Sequence, residues 1–274
     1  MKLRDLLSYR RKTIGYGIAR ECYLIVLGGS ASLPSPRELC DPKGEIAAMI
    51  APMGAGQDRS ALDRPMNHGL YAVASPDRKT VIQLSVGGRD DSGFSAEAAI
   101  ASPQLQPLGD EVIARMQGFW HVFALSFSSH DPMVYPALEL QWRLAQRLAA
   151  LTDGVVGDPL AERYLLPERG AGFSASQLVR IRCVEGLMVT AGMVKLGLPE
   201  FVIACGAGDE SVCEKILLAG VDRVLQEGPF DPGQSFGPTV SPLMASHQED
   251  GRIVWIPSAG REMRTCLEAF EQSK

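Results

Sequence analysis

Two apolar, β-prone runs, residues 69–74 and 80–86, stand on either side of Ser75-Pro76-Asp77-Arg78-Lys79. Proline presets the backbone for a turn and aspartate can hydrogen-bond the chain two residues on, so this link has the chemistry of a hairpin loop. A hairpin is antiparallel, which steers the chain away from a wholly parallel sheet. Upstream, residues 22–27 form a further β-rich apolar run closed by Gly28-Gly29-Ser30, and residues 3–12 read as a short polar helix. Between these, Pro34, Pro36, Pro42 and Pro52 with Gly44, Gly54 and Gly56 break any long element, leaving one or two helical turns over residues 45–50.

Strand and helix patterns alternate in the second half. Helix is predicted over 111–117, strand over 119–127, and a long helix over 135–151 with apolar positions at 138, 140, 144, 145, 148, 149 and 151. There follow strand 177–184, helix 187–196 stopping at Gly197, strand 201–205, helix 210–226, strand 252–256 and helix 262–270. A hairpin followed by such alternation predicts an α+β fold, with a mixed, largely antiparallel sheet and helices packed mainly on one face. A doubly wound α/β sheet is the alternative.

Gly93-Phe94-Ser95-Ala96 recurs as Gly172-Phe173-Ser174-Ala175, and at the same offset Gly118 falls on Gly197 and Leu138 on Leu217. Two tandem strand-helix-strand-helix units explain this, as does the turn grammar common to all proteins. The corresponding division is an N-terminal strand and hairpin region over 1–92, a first unit over 93–171 and a second over 172–274, with one compact domain as the alternative.

At 274 residues, 46% hydrophobic and 22% charged, the chain can bury a core without staples. Twenty-seven basic against thirty-two acidic residues leave a net charge of −5, so nucleic acid is not an expected partner. The one basic cluster, Arg10-Arg11-Lys12 with Arg4 and Arg20, reads as a solvated helix face. The longest apolar runs, such as residues 23–27, fall far short of the roughly 20 residues that cross a bilayer, and no signal-peptide pattern is present. A soluble, cytoplasmic protein is expected. Six cysteines at 22, 40, 183, 205, 213 and 266 are scattered without metal-site or redox spacing and read as reduced, mostly buried thiols.

Several stretches carry possible chemistry. Residues 202–211 run from a strand through Gly206-Ala207-Gly208 towards Ser211 in a helix, whose free amides can hold an anion. The third glycine of a dinucleotide fingerprint and the Lys-Ser/Thr of a phosphate loop are missing, and Asp209 and Glu210 satisfy the helix dipole themselves. Ser128-Ser129-His130-Asp131 sits between a strand and a helix. His130 is the candidate general base with Asp131 beside it, against the simpler reading of Ser129 or Asp131 as a cap before Pro132. Arg180 and Arg182 alternate along a strand and can grip a carboxylate, a phosphate or a protein partner from one face. Gly233-Gln234-Ser235-Phe236-Gly237 matches a hydrolase nucleophile elbow in letters, but prolines on both sides place it in a loop. His68, His121 and His247 have no ligand-like partner at helix or strand spacing, so no metal is expected, and no cofactor motif survives its context.

Thr190-Ala191-Gly192-Met193-Val194-Lys195-Leu196-Gly197-Leu198-Pro199-Glu200, followed by a strand and then by Leu225-Gln226-Glu227-Gly228, resembles the C-terminal part of bacterial domain families of unknown function. In these a Gly-Met-x-Lys-x-Gly-x-Pro-Glu stretch precedes a strand and a helix, and the likeness spans about residues 176–240. It implies a bacterial, cytosolic setting and brings no activity with it. The sequence therefore points to a non-enzymatic binding or regulatory module that recognises a protein or small-molecule ligand through loops around 87–93, 128–132 and 206–211. The alternative is an enzyme for a small anionic substrate, with His130 as base and the Gly206 to Gly208 amides as anion site.

Overall fold

A computed structural model describes residues 22–41, 43–53, 59–105, 107–129, 134–168, 173–248, 252–258 and 261–272. Among these residues seven α-helices and thirteen strands build an α+β fold with two mostly antiparallel sheets. The described residues up to Glu168 form one compact unit and those from Phe173 another. The helix expected over 3–12 lies outside the described residues. No described helix is long and apolar enough to cross a membrane.

The first unit is built on β1 (Cys22–Gly28), β2 (Met49–Pro52), β3 (Gly69–Ala74), β4 (Thr80–Gly88), β5 (His121–Ser129), β6 (Val155–Asp158) and β7 (Arg163–Leu165). They lie in the order β2-β3-β4-β5-β1-β6-β7, with every neighbouring pair antiparallel. The expected hairpin is β3–β4, its loop fastened by Asp77, whose carboxylate accepts from Ser75 Oγ at 2.6 Å and Lys79 N at 3.1 Å. Because β4 and β5 pair over nine positions, the seam expected at residue 92 runs inside this sheet.

Side chains alternate across the pleat, so Leu24 and Val26 of β1 share a face with Leu125 and Phe123 of β5 and with Leu84 and Val86 of β4. Helices α1 (Pro36–Leu39) and α4 (Val134–Leu151) cover this face. Ala137, Leu144, Ala145 and Leu148 are fully buried there, and each large apolar side chain so buried contributes about 1.5–3 kcal/mol. Gln141 is the buried polar exception on α4; its amide donates to the carbonyls of Cys22 at 2.9 Å and Leu125 at 2.8 Å, fixing the helix to the sheet. Helices α2 (Ala96–Ala101) and α3 (Asp110–Gln117) cover only one end of the opposite face, where Ala96, Met116 and Phe119 meet Leu27, Val122, Val155 and Tyr164.

The second unit has β8 (Arg180–Val184), β9 (Leu187–Ala191), β10 (Phe201–Ala204), β11 (Ser235–Phe236), β12 (Leu243–His247) and β13 (Ile253–Pro257), in the order β11-β12-β13-β10-β9-β8. Only β10–β13 is parallel. Helices α5 (Ala175–Leu178), α6 (Glu210–Glu227) and α7 (Met263–Gln272) complete it. At Gly220 α6 packs on Phe201 and Trp255, whose rings stand 3.5 Å from where a Cβ would be, an ordinary contact distance. Phe230 closes edge-on against Trp255 at 4.6 Å, so the core here is aromatic.

Two expectations fail locally. Residues 187–196, read as a helix, form β9 and a 3-10 turn over Met193–Leu196. Glu185 and Gly186, both with positive φ, make the tight turn that returns β8 as β9, and this pairing overrides a short apolar spacing that fits either period. Residues 45–50 bend and then enter β2, because Met49 and Ile50 find partners in Ala74 and Val73. Of the proposed repeat, Ser95 accepts from Ala98 N to cap α2, and Ser174 opens α5 in a capping box with Gln177. The strands that follow differ, since β5 has two antiparallel neighbours and β10 has one of each kind.

Candidate functional site

His130 and Asp131 lie outside the described residues. The Gly206-Ala207-Gly208 loop joins β10 to α6 as expected, and Ser211 stands in the first turn of that helix. Asp209 N donates to Gly206 O at 3.1 Å, and Asp209 Oδ2 lies 2.9 Å from the point that a Cβ on Gly206 would occupy. The loop thus folds over its own carboxylate, at the place where an anion would meet the helix. Arg180 and Arg182 project from one face of β8, as their alternation predicts. Arg182 aligns with Val189 and Val202, on the face opposite the one that meets α6. Arg180 sits four residues back from the strand end nearest the Gly206 loop, about 13 Å along the sheet. The structure therefore does not gather these arginines and the glycine loop into one site.

Other sequence candidates resolve into structure. Ser235 lies in edge strand β11, paired with Met244, and not on a strand-to-helix elbow. The Cys205 thiol donates to Gly206 O at 3.4 Å and that of Cys213 to Ala204 O at 3.9 Å, and burial raises both thiols, Cys213 to about 12, so neither supplies thiolate at neutral pH. The Gly-Met-x-Lys-x-Gly-x-Pro-Glu stretch is a self-tied turn. Glu200 accepts from Gly192 N at 3.0 Å, Met193 N at 3.1 Å and Thr190 Oγ1 at 2.6 Å, while buried Lys195 donates to Leu178 O at 2.7 Å. Burial raises the Glu200 pKa, and the hydroxyl and amides that donate to it pull the other way.

The structure brings together two residues that sequence spacing kept apart. His68 Nε2 stands 3.3 Å from His121 Nδ1, with the ring centroids 5.4 Å apart and the planes at 69°. The fold explains the meeting. His121 opens β5, and its cross-strand neighbours on both sides are glycines, Gly28 on β1 and Gly88 on β4. His68 precedes Gly69, whose φ of 144° turns the chain as it enters β3. A Cβ on Gly88 would stand 3.2 Å from His68 Cε1, so the missing methyl is what admits the ring. Two side chains 53 positions apart thus share one trough at the sheet end.

The frame around the pair is sewn by backbone bonds. Ser30 N donates to Thr152 O at 2.8 Å, Trp120 N to Gly28 O at 2.8 Å, and Arg89 N to Trp120 O at 2.9 Å. His121 Nε2 meets Ala31 O at 3.1 Å, and since a carbonyl only accepts, that nitrogen carries the proton and Nδ1 presents its lone pair. The 87–93 loop singled out in the sequence borders the pair. Asp91 Oδ2 lies 3.5 Å from the point where a Cβ on Gly88 would stand, next to His68. Arg89 points elsewhere, with its guanidinium 4.9 Å from the Phe119 ring centroid and bonded to Gln117 O at 3.0 Å. His247 ends β12 and is exposed. The signal available in the sequence was the glycine doublets Gly28-Gly29 and Gly87-Gly88, each closing a predicted strand.

Comparison of the chain with protein-family models, with curated proteins and with solved structures gave no match in any of the three.

Proposed function

We propose that this protein is a non-enzymatic binding module whose recognition site lies where His68, His121 and the 87–93 loop meet. The observation that carries the reading is the 3.3 Å approach of two accessible imidazoles on a hydrogen-bonded backbone frame. Imidazoles placed so bring two polar ring nitrogens to one point, where a ligand group can meet both. Thiols held protonated by burial at Cys205 and Cys213 favour binding over nucleophilic chemistry. Six cysteines, none of them in a disulfide, suit a reducing compartment, in keeping with a cytoplasmic protein.

The test is a thermal-shift titration of the purified chain with divalent cations, carboxylates, inorganic phosphate and short peptides, beside the double variant His68→Ala/His121→Ala. A ligand present at 100 times its Kd adds about 2.7 kcal/mol to wild-type stability, and the variant should not respond. Turnover of such a ligand, or equal shifts in both proteins, would overturn the reading.

A further inference from the structure

Resting on that reading and deepening it, the geometry points to a divalent transition-metal ion as the ligand, held by His68 Nε2 and His121 Nδ1. In a tetrahedral site with zinc–nitrogen bonds of 2.0–2.1 Å, two ligating nitrogens stand about 3.3 Å apart. The separation here is 3.3 Å. A metal can therefore take the place of the proton between the rings with little movement of either.

The surroundings agree with that exchange. Histidines that ligate metals donate the other ring N–H to a carbonyl or carboxylate, which fixes the tautomer and strengthens the ligand. His121 does this through Nε2 to Ala31 O at 3.1 Å. Asp91 Oδ2 and His68 Cε1 stand 3.5 and 3.2 Å from the one point that a Cβ on Gly88 would occupy, and the Arg89 guanidinium is engaged on Phe119 and Gln117. An imidazole pair selects zinc, nickel or copper over magnesium or calcium, which prefer all-oxygen sites. Among the described residues no group of three His, Cys, Asp or Glu side chains is arranged around a metal position. The described residues thus supply two ligands, and the other positions are open to water or to donor atoms of a bound molecule.

Isothermal titration of the full chain with zinc chloride, with magnesium chloride as control, tests the proposal. Wild type should bind one zinc ion per chain, His68→Ala/His121→Ala should bind about tenfold or more weakly, and magnesium should give no heat of binding. Gly88→Ala is the independent probe. Its methyl crowds His68 alone, so affinity should fall about tenfold while the unfolding midpoint stays in place. Zinc binding equal in wild type and double variant, or unchanged in Gly88→Ala, would overturn the proposal and assign any uptake to thiols or other histidines. If zinc fails while another ligand still distinguishes wild type from the double variant in the thermal-shift assay, the metal is wrong and the recognition site stands. If neither distinguishes them, both fall.

Discussion

Two glycine-bordered strand ends in this molecule have opposite fates. Where β5 begins the glycines lie on neighbouring strands; the space left by Gly88 is entered by His68, which meets His121 there, and the space left by Gly28 is taken by Phe123 and Thr152. After β10 they stand two positions apart in one loop, and the space at Gly206 is taken by Asp209 of that loop. Glycine therefore makes a site when it removes a side chain beside a functional group across the sheet. Where it only lets the chain turn, local acids close over it.

The contrast can be broken experimentally, and the largest effect is expected at Gly154, which adjoins the same sheet end. A Cβ there would collide with the carbonyl oxygen of Leu27 and stand 3.1 Å from Thr152 Oγ1. Gly154→Ala should cost about 3 kcal/mol in urea unfolding, because backbone must move. If it is tolerated, the frame behind the histidines is looser than its hydrogen bonds imply. Gly220→Ala should act with the opposite sign. Its methyl finds ordinary contacts at 3.5 Å and it sits inside α6, so a gain of about 0.5–1 kcal/mol is expected from the same measurement. Gly88→Ala should change stability by less than about 0.5 kcal/mol, since the group it displaces is an exposed ring. That separates a glycine kept for a ligand from one kept for packing.

The smallest effect concerns Glu200. Its folded pKa is raised by burial above 4.5, so its contribution is present below that unfolded value and is lost as pH rises through the folded one. Glu200→Gln should flatten this loss between pH 4 and 7 in urea midpoints. A wild-type profile already flat there would show that the donors at Gly192, Met193 and Thr190 outweigh the burial.

What could be read from the sequence was what is local. The β3–β4 hairpin was legible because Asp77 and its turn are contiguous with both strands, and α4 because its apolar positions recur over five turns. Residues 187–196 were misread because Glu185-Gly186, not the apolar spacing, decides that segment. The histidine pair was out of reach, since it depends on β3, β4 and β5 lying side by side and on β4 presenting Gly88 to His121. Glycine doublets at two strand ends hint at open space, but only register says what stands opposite.

The position of β1 has a consequence for how the molecule is made. It lies between β5 and β6, so the earliest described strand waits unpaired until a segment more than ninety residues later has been synthesised. Closing so long a loop is slow compared with forming the hairpin. The nascent chain therefore carries an apolar ribbon with both edges bare for much of its time on the ribosome.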